Sequence, residues 1–442
     1  NPRRDTRWWG WGDPDELATL PDGAEAMLAE RGIPLGEVVA VPSVEQVSLP
    51  DAQPLPDVIR RLFDEESMFT GAEDRLRHAA GQSYLDLIEK RSGTIQNAPD
   101  AVIVPARAEQ VLPLLEACSQ KGIAVVPFGG GTSVVGGIAP LSGKFDRVIS
   151  LDTSAFRSVE IDSRSLTARL GAGLRGPEAE AALAAEGFTI GHFPQSFEYA
   201  TIGGFAATRS AGQSSSGYGR FDSLVSSIRM IAPAGEISTL DTPHSSIGPS
   251  LRELIVGSEG AFGVIPEVQV RIRPVPVSKR YEAWMAGSFT EATEIIRGLA
   301  QGDALPTVAR VSDEDESEVN LSLSLPSGAA GRMFRRYLAM RGRAGGCLVI
   351  AGFEGDSDSV RVSRAATARS LRKGGAVYLG QAAGSGWAKG RFHGPYLREA
   401  LLDRGVLVET LETAQQWSHH GDLYRSVGAA VRKAMKSRGM EG

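Results

Sequence analysis

The feature that most constrains this chain is the stretch IAVVPFGGGTSVVGG at residues 123–137. The apolar run before Pro127 predicts a buried strand, and the nine residues 129–137 that follow contain five glycines. Glycine weakens a helix or strand by roughly 0.5–1 kcal/mol, so this density is expected where backbone lies very close to another group. The backbone N–H groups, with the Thr132 and Ser133 hydroxyls, suit a pyrophosphate. A turn between two strands is the alternative, and the spacing matches neither G-x-G-x-x-G nor the P-loop pattern.

Length and composition indicate a globular protein of two or three domains, since the 442 residues are 42% hydrophobic and carry a net charge of −6. There is no basic block, so no nucleic-acid partner is expected. Cys118 and Cys347 lie far apart and the six histidines show no ligand spacing, so neither a disulfide framework nor a metal site is expected. No apolar run approaches the roughly 18 residues of a membrane span, and no signal peptide opens the chain. These features predict a soluble, cytoplasmic protein.

The N-terminal third predicts an arm, a linker and helices. Three tryptophans fall within residues 8–11 and predict an arm that packs on its own domain, with a docked partner as the alternative. Proline-rich residues 41–56 predict an extended linker. Helical periodicity then predicts helices over 57–67 and 75–89.

From residue 100 the pattern changes to strand, helix, strand. A strand is predicted at 101–104 and a helix at 109–120, which Gly122 ends, before the strand that leads into the first glycine cluster. This order places the cluster at the carboxyl end of a strand, where open α/β sheets bind ligands. Further strands are predicted at 147–152, 159–161, 166–170, 225–231, 236–240 and 264–274, and further helices at 177–185 and 251–256.

Two more glycine-rich segments follow, at residues 200–220 and 257–263. The segment at 200–220 on its own is also typical of a mobile surface loop. Three such segments next to the strands of one region indicate a ligand site more specifically than one does.

Beyond residue 276 the glycine clusters cease and strands alternate with amphipathic helices, which predicts helices on one face of a sheet. Five residues with a cationic bias precede a predicted strand at 405–410 and suit an anionic substrate; a solvated basic face is the alternative. These five are Trp387, Lys389, Arg391, His393 and Arg398. The strands are predicted at 281–286, 307–311, 347–353 and 376–379, and the helices at 290–299, 313–321 and 360–371.

Four motifs resemble those of the vanillyl-alcohol-oxidase-like flavoproteins with a PCMH-type FAD-binding domain, and they occur in the same order. They are PDAVIVPA (99–106), PFGGGTSVVGG (127–137), FPQSFEYATIGGFAATRSAG (193–212) and GSEGAFGVI (257–265). The resemblance implies an α+β fold in which a two-subdomain FAD-binding domain precedes an α+β cap. The implied segments are an N-terminal arm and helical region (1–94), the FAD-binding domain (95–276) and the cap or substrate domain (277–442).

Within that superfamily the chain is most similar to the alkylglycerone-phosphate synthase family. The motifs are RWWGWG (7–12), ARVSDED (309–315), PYLRE (395–399) and LVETLETAQQW (407–417). This resemblance implies exchange of the acyl chain of acyl-dihydroxyacetone phosphate for a fatty alcohol through a flavin N5 adduct, in ether lipid synthesis. It also implies a homodimer with peripheral membrane contact. The alternatives are an FAD-linked oxidoreductase of a 2-hydroxy acid, such as D-lactate or D-2-hydroxyglutarate, and a flavin-binding protein without catalysis.

Transferred residue by residue, the resemblance implies FAD contacts in the motifs at 127–137, 193–212 and 257–265 and at one cap arginine. These contacts are Pro127, Gly129, Gly130, Gly131, Thr132, Ser133, Val134, Val135, Gln195, Ser196, Phe197, Glu198, Tyr199, Ala200, Thr201, Thr208, Arg209, Ser210, Ala211, Glu259, Gly260, Ala261, Phe262, Gly263, Val264, Ile265 and Arg310.

Two further roles concern the substrate. Arg398 matches the arginine that binds the substrate phosphate, and His393, five residues earlier, is a candidate for proton transfer or an ordinary surface residue. The first loop has valines where the superfamily's covalent tethers lie, so FAD is expected to be noncovalent. Family members continue beyond the position of Met440 to an active-site tyrosine and a run of three histidines. The cap is therefore expected to be incomplete at its C-terminus; the alternative is an enzyme without its usual proton donor.

Overall fold

The structure is a computed structural model that describes residues 5–16, 18–242, 245–324 and 328–440. The chain forms two compact units. The first comprises residues 1–279, 354–357 and 386–407, and the second comprises 280–353, 358–385 and 408–442. The predicted segments 1–94, 95–276 and 277–442 stay predictions.

The helices of the described residues are, in chain order, α1 (Ala24–Glu30), α2 (Asp57–Arg60), α3 (Ala72–Arg77), α4 (Tyr84–Ser92), α5 (Val111–Lys121), α6 (Gly176–Ala185), α7 (Ile202–Ala207), α8 (Ser215–Tyr218), α9 (Phe221–Leu224), α10 (Leu251–Ile255), α11 (Phe289–Gln301), α12 (Glu314–Ser324), α13 (Ala329–Met340), α14 (Ser357–Lys373), α15 (Gln381–Gly390), α16 (Gly394–Leu402) and α17 (Trp417–Ser437). Short 3-10 turns occur at Val44–Gln46, Glu65–Ser67 and Ala108–Gln110. None of the helices within the described residues is both long and apolar enough to cross a membrane.

The first unit contains a four-stranded sheet that carries the first glycine cluster. Its order is β1-β2-β4-β3, from the strands β1 (Met68–Phe69), β2 (Ala101–Ile103), β3 (Ile123–Phe128) and β4 (Arg147–Asp152). β2 and β3 both run parallel to β4. α5 buries Val111, Leu114 and Cys118 against this sheet and ends at Gly122, whose φ of 62° is left-handed, so the predicted helix end is confirmed.

A second sheet in the same unit is antiparallel, in the order β5-β6-β10-β8-β9. Its inward face forms a hydrophobic core with α6, α7 and α9. β11 and β7 pair with each other in a separate two-stranded sheet. The strands are β5 (Val159–Asp162), β6 (Thr167–Gly171), β7 (Phe188–Thr189), β8 (Val225–Ala232), β9 (Gly235–Ser238), β10 (Val264–Arg271) and β11 (Arg273–Pro274).

The second unit is built on a four-stranded sheet in the order β13-β14-β12-β15. Helices α11 and α14 contribute Ala292, Ala368 and Leu371 to a core around Trp284 and Cys347. The predicted alternation of strands and helices is therefore confirmed. The strands are β12 (Ser278–Ala286), β13 (Val308–Val311), β14 (Cys347–Gly355) and β15 (Val377–Gly380).

The N-terminal arm packs on the first unit, which confirms the prediction of an arm that packs on its own domain. Trp8 is 4% exposed and contacts a cluster that includes Leu76 and Ile95. The prediction of a linker at residues 41–56 was wrong, because Val44 and neighbouring apolar residues pack against this same cluster.

Three local predictions were wrong. The helix predicted over 57–67 ends at Arg60, because Phe63 turns into the core of the first sheet. The helix predicted over 75–89 is two helices, since residues 78–83 leave the helical path. The strand predicted at 405–410 does not form, and the chain is mostly exposed after Gly405.

One histidine lies in the core of the second sheet. The His192 ring is 2% exposed and lies 4.8 Å from the ring of Phe205 and 5.0 Å from that of Phe221, measured between centroids. Its Nε2 is 2.9 Å from Ser210 Oγ. Burial in this apolar surrounding lowers the pKa of His192 to about 3.

This burial predicts a pH dependence of stability. Between pH about 3 and about 6.5 the unfolded chain binds the proton that native His192 does not, so the free energy of unfolding falls as pH decreases, by up to about 1.4 kcal/mol per pH unit. Urea unfolding from pH 7 to pH 5 measures this slope. We expect His192→Asn to have a smaller slope, and His419→Asn, at an exposed histidine, to keep that of the wild type. Equal slopes in all three proteins would contradict the assignment.

Candidate cofactor-binding site

The first two glycine-rich segments meet through their backbones. A Cβ at Gly130 would lie 2.1 Å from the carbonyl oxygen of Tyr199, and one at Gly129 would lie 2.7 Å from Thr201 Oγ1. Real Cβ atoms essentially never make contacts below 3.0 Å, so a side chain at either position would force the neighbouring group to shift. Thr201 also caps α7, because its Oγ1 accepts a hydrogen bond from the N–H of Gly204.

The third segment closes on the first. A Cβ at Gly260 would lie 3.1 Å from the ring of Pro127, and one at Gly137 would lie 2.9 Å from Glu259 Oε2. The Glu259 N–H donates to the carbonyl of Ala207 at 3.0 Å, which ties this turn to the end of α7. The structure therefore brings together all three segments that the sequence singled out.

The loop that follows β3 offers a row of donors. Within the described residues, the backbone N–H groups of 130–136 donate to no protein acceptor. The Ser133 carbonyl, in contrast, accepts from the N–H of Gln82 at 2.7 Å, so the loop is held from one side. Val134 and Val135 are 58% and 72% exposed. An anchored loop with free N–H groups fits the pyrophosphate of FAD, which accepts such bonds.

Four of the predicted FAD contacts have structural roles of their own. The Arg209 guanidinium donates to the carbonyl of Val256 at 3.0 Å and pairs with Asp222 at 3.2 Å. Ser210 bonds to His192. The side chains of Val264 and Ile265 lie in the hydrophobic cores of the first and second sheets, so only their backbones could meet a cofactor.

The segment of residues 195–199 packs on the start of α16. The rings of Phe197 and Phe392 are stacked, with centroids 5.3 Å apart. The Tyr396 hydroxyl donates to Glu198 Oε2 at 3.0 Å. Burial raises the pKa of Tyr396 and also that of Tyr199, so both phenols are protonated at neutral pH.

This packing places Arg398 in the same compact unit as the glycine loops. The side chain is 17% exposed, and its Nη2 donates to Glu399 Oε1 at 3.0 Å. Glu399 is fully buried and also accepts from Arg91 at 2.8 Å. Arg398 Nε is buried and has no partner among the described residues. A fixed guanidinium with one free donor favours the anion-binding interpretation over a solvated face.

The remaining predicted residues are less constrained. His393 is exposed at the start of α16, and no hydrogen bond of its ring occurs in the part of the chain that the structure describes. Arg310 lies on β13 in the second unit and pairs with Glu316. Gln195, Thr208, Ala211 and Ala261 lie at or near the surface of their loops. The roles of all these residues stay predictions.

Sequence reasoning missed several residues of the site. Trp11 lies edge-on to Tyr199, with centroids 4.9 Å apart, and its indole nitrogen is buried without a partner in the described chain. Gln82 bonds to the glycine loop, and Tyr396 bonds to Glu198. Trp11 and Tyr396 belong to motifs quoted from the sequence, RWWGWG and PYLRE, whereas no sequence signal marks Gln82.

The geometry predicts that Gly130→Ala weakens FAD binding by at least about tenfold, since a shift costing about 1.4 kcal/mol suffices. The added Cβ would meet the carbonyl of Tyr199, which cannot move without displacing the second segment. Titration of apoprotein with FAD measures the effect. Gly298→Ala is the matched control, because a Cβ there meets nothing within 4 Å. Wild-type FAD affinity in Gly130→Ala would mean that the loop is only a turn.

Comparison with known proteins tests these expectations. The family model for the FAD binding domain matches residues 99–241, and that for the C-terminal domain of FAD linked oxidases matches residues 275–440. The chain is 30% identical to alkyldihydroxyacetonephosphate synthase from Dictyostelium discoideum over 90% of its length and 67% of that protein. It is 32% identical to the Trypanosoma brucei brucei protein of the same name, over 88% of the chain and 64% of that protein.

Solved structures agree. A structure of alkyldihydroxyacetonephosphate synthase matches 99% of this chain and 85% of that chain with a TM-score of 0.88 and 28% identity. The predicted α+β fold with a PCMH-type FAD-binding domain is therefore confirmed. The predictions that the cofactor is FAD and that the protein is an enzyme are confirmed as well. The chain belongs to the alkyldihydroxyacetonephosphate synthase family of FAD-binding proteins.

Proposed function

We propose that the protein exchanges the acyl chain of an acyl-dihydroxyacetone phosphate for a fatty alcohol and so makes an alkyl-dihydroxyacetone phosphate. The observation that carries the proposal is the placement of Arg398, which lies in the unit that holds the glycine loops and hydrogen-bonds to the residue that holds Ser133. The substrate class follows from the family.

Each group of the site has a task in this reaction. The N–H groups of residues 130–136 would hold the pyrophosphate of FAD, and bound FAD would supply a nitrogen nucleophile for displacement of the acyl group. Arg398 binds the substrate phosphate, for which a guanidinium is well suited. The protonated phenol of Tyr396 donates a hydrogen bond to Glu198, next to the protonated phenol of Tyr199. His393, exposed at the start of α16, is the candidate for proton transfer to or from the substrate.

Two partners belong to the same proposal. Both substrates carry long acyl or alkyl chains, so the protein contacts a membrane surface peripherally to obtain them. We also propose the homodimer and the cytoplasmic location that the sequence implies. Sedimentation of the purified protein measures its oligomeric state.

A second candidate function is the oxidation of a 2-hydroxy acid by FAD. It is favoured by the match of residues 275–440 to the C-terminal domain of FAD linked oxidases. In that case Arg398 would bind a carboxylate, which a guanidinium also recognises. The two functions differ in whether substrate reduces the flavin.

The first prediction from this proposal concerns Arg398→Ala. Hydrogen bonds to a charged group contribute roughly 1.5–3 kcal/mol, so we expect the variant to bind an acyl-dihydroxyacetone phosphate at least about tenfold more weakly. Flavin absorbance measures the binding. Arg157→Ala, at a half-exposed arginine of the same unit, is the control.

The same titration separates the two functions. D-lactate and D-2-hydroxyglutarate should leave the flavin of the wild-type protein oxidised. Flavin that is bleached by a hydroxy acid and indifferent to the phosphate ester would support the oxidoreductase instead. No response to either, with FAD bound, would support a flavin-binding protein without catalysis.

The second prediction is that FAD is noncovalent, because exposed valines occupy positions 134 and 135 of the loop where a tethering histidine would lie. Acid precipitation should release all flavin into the supernatant. Flavin that remains with the precipitated polypeptide would contradict this part of the proposal.

A further inference from the structure

A three-residue segment between α3 and α4, Ala80–Gln82, is fixed from within the first unit. The Lys90 ammonium is 3% exposed and donates to the carbonyls of Ala80 and Gly81 at 3.1 and 3.0 Å. A Cβ at Gly81 would lie 2.3 Å from the carbonyl oxygen of Ser133, so the segment lies directly against the glycine loop. The interruption of the helix predicted over 75–89 occurs here.

Gln82 faces the glycine loop with its backbone N–H. This group donates to the carbonyl of Ser133 at 2.7 Å, a short bond for an amide donor. Ser133 belongs to the run whose own N–H groups are free. The position of Gln82 therefore sets the position of the donors that would hold the cofactor's pyrophosphate.

Gln82 faces Arg398 with both of its oxygens. Arg398 Nη1 donates to the backbone carbonyl of Gln82 at 2.9 Å, and Nη2 lies 3.4 Å from Gln82 Oε1. The side-chain nitrogen of Gln82 donates to the carbonyl of Gly10 at 3.2 Å. That bond determines the orientation of the amide, because a carbonyl can only accept, so Oε1 is the atom turned toward the arginine.

We propose that Gln82 is a positioning residue that joins the flavin loop to Arg398. Its backbone N–H holds the flavin loop, and its two oxygens hold Arg398. Its buried neighbours prevent the segment from shifting. Order in the flavin loop thereby pre-orients the arginine, and the coupling is reciprocal. The identity of the anion at Arg398 rests on the proposed function, whereas the coupling itself does not.

The chemistry requires an amide at this position. A carboxylate would pair with the guanidinium by charge and compete with a bound phosphate. It would also lose the donor to Gly10, leaving that carbonyl without its partner. Gln82→Glu is nearly isosteric, so it changes these two interactions while the backbone N–H to Ser133 remains.

The first test measures the binding of dihydroxyacetone phosphate to the FAD-loaded protein. Gln82→Glu should weaken this binding at least about tenfold, with the FAD dissociation constant changed by less than about threefold because the backbone bond is kept. Gln53→Glu, at an exposed glutamine, is the matched control and should bind as the wild type does.

The same substitution is then made in an Arg398→Ala background. A residue that acts through Arg398 should have little effect there, less than about twofold. An equal loss in both backgrounds would mean that Gln82 has only a structural role, and would overturn the proposal.

The second test needs no substrate. Hydrogen exchange of peptides covering residues 78–84 in the FAD-loaded protein reports on the N–H of Gln82, and Arg398→Ala should speed it at least about fivefold. Arg157→Ala should leave it unchanged. Exchange that Arg398→Ala does not alter would overturn the proposal. Altered exchange without any binding of dihydroxyacetone phosphate would support the coupling and contradict the proposed function.

Discussion

The site depends on a crowded contact between two backbones, in which Gly130 lies against Tyr199 and Ala200 with no room for a Cβ. The parallel strands β3 and β4 carry the loop to this contact, and α7 begins immediately after it. Within the described residues, the loop does not turn back to satisfy the N–H groups of 130–136 with its own carbonyls. Seven consecutive residues, 130–136, therefore present free donors among the described residues, which is the arrangement that phosphate oxygens require.

A buried ionic network determines where the second functional group lies. Glu399, without exposed surface, accepts from Arg91 at 2.8 Å and from Arg398 at 3.0 Å. Removing one partner of such a network leaves an uncompensated buried charge, which costs several kcal/mol. Arg398 is therefore held in place by the fold before any ligand binds, and its Nε is buried without a partner among the described residues.

The sequence was sufficient to predict the glycine loop, the strand that leads into it and the C-terminal end of α5, because these follow from local periodicity and from glycine's backbone freedom. It was insufficient wherever a distant contact decides the local structure. The helix predicted over 75–89 breaks because Gln82 bonds to Ser133, about 50 residues later in the chain. Likewise, α16 belongs to the first unit because Leu401 and Leu402 pack on Leu28 and Leu87, a pairing that no local pattern reveals. The motif PYLRE identified Arg398 but not its environment.

A turnover assay tests most directly the proposal that the protein exchanges an acyl chain for a fatty alcohol. The FAD-loaded protein would be incubated with an acyl-dihydroxyacetone phosphate and an isotopically labelled long-chain alcohol, and the lipids analysed by mass spectrometry. The account predicts an ether lipid that carries the label, formed in equal amount to the fatty acid released, with the flavin oxidised at the end. Absence of labelled ether while a 2-hydroxy acid reduces the flavin would contradict it.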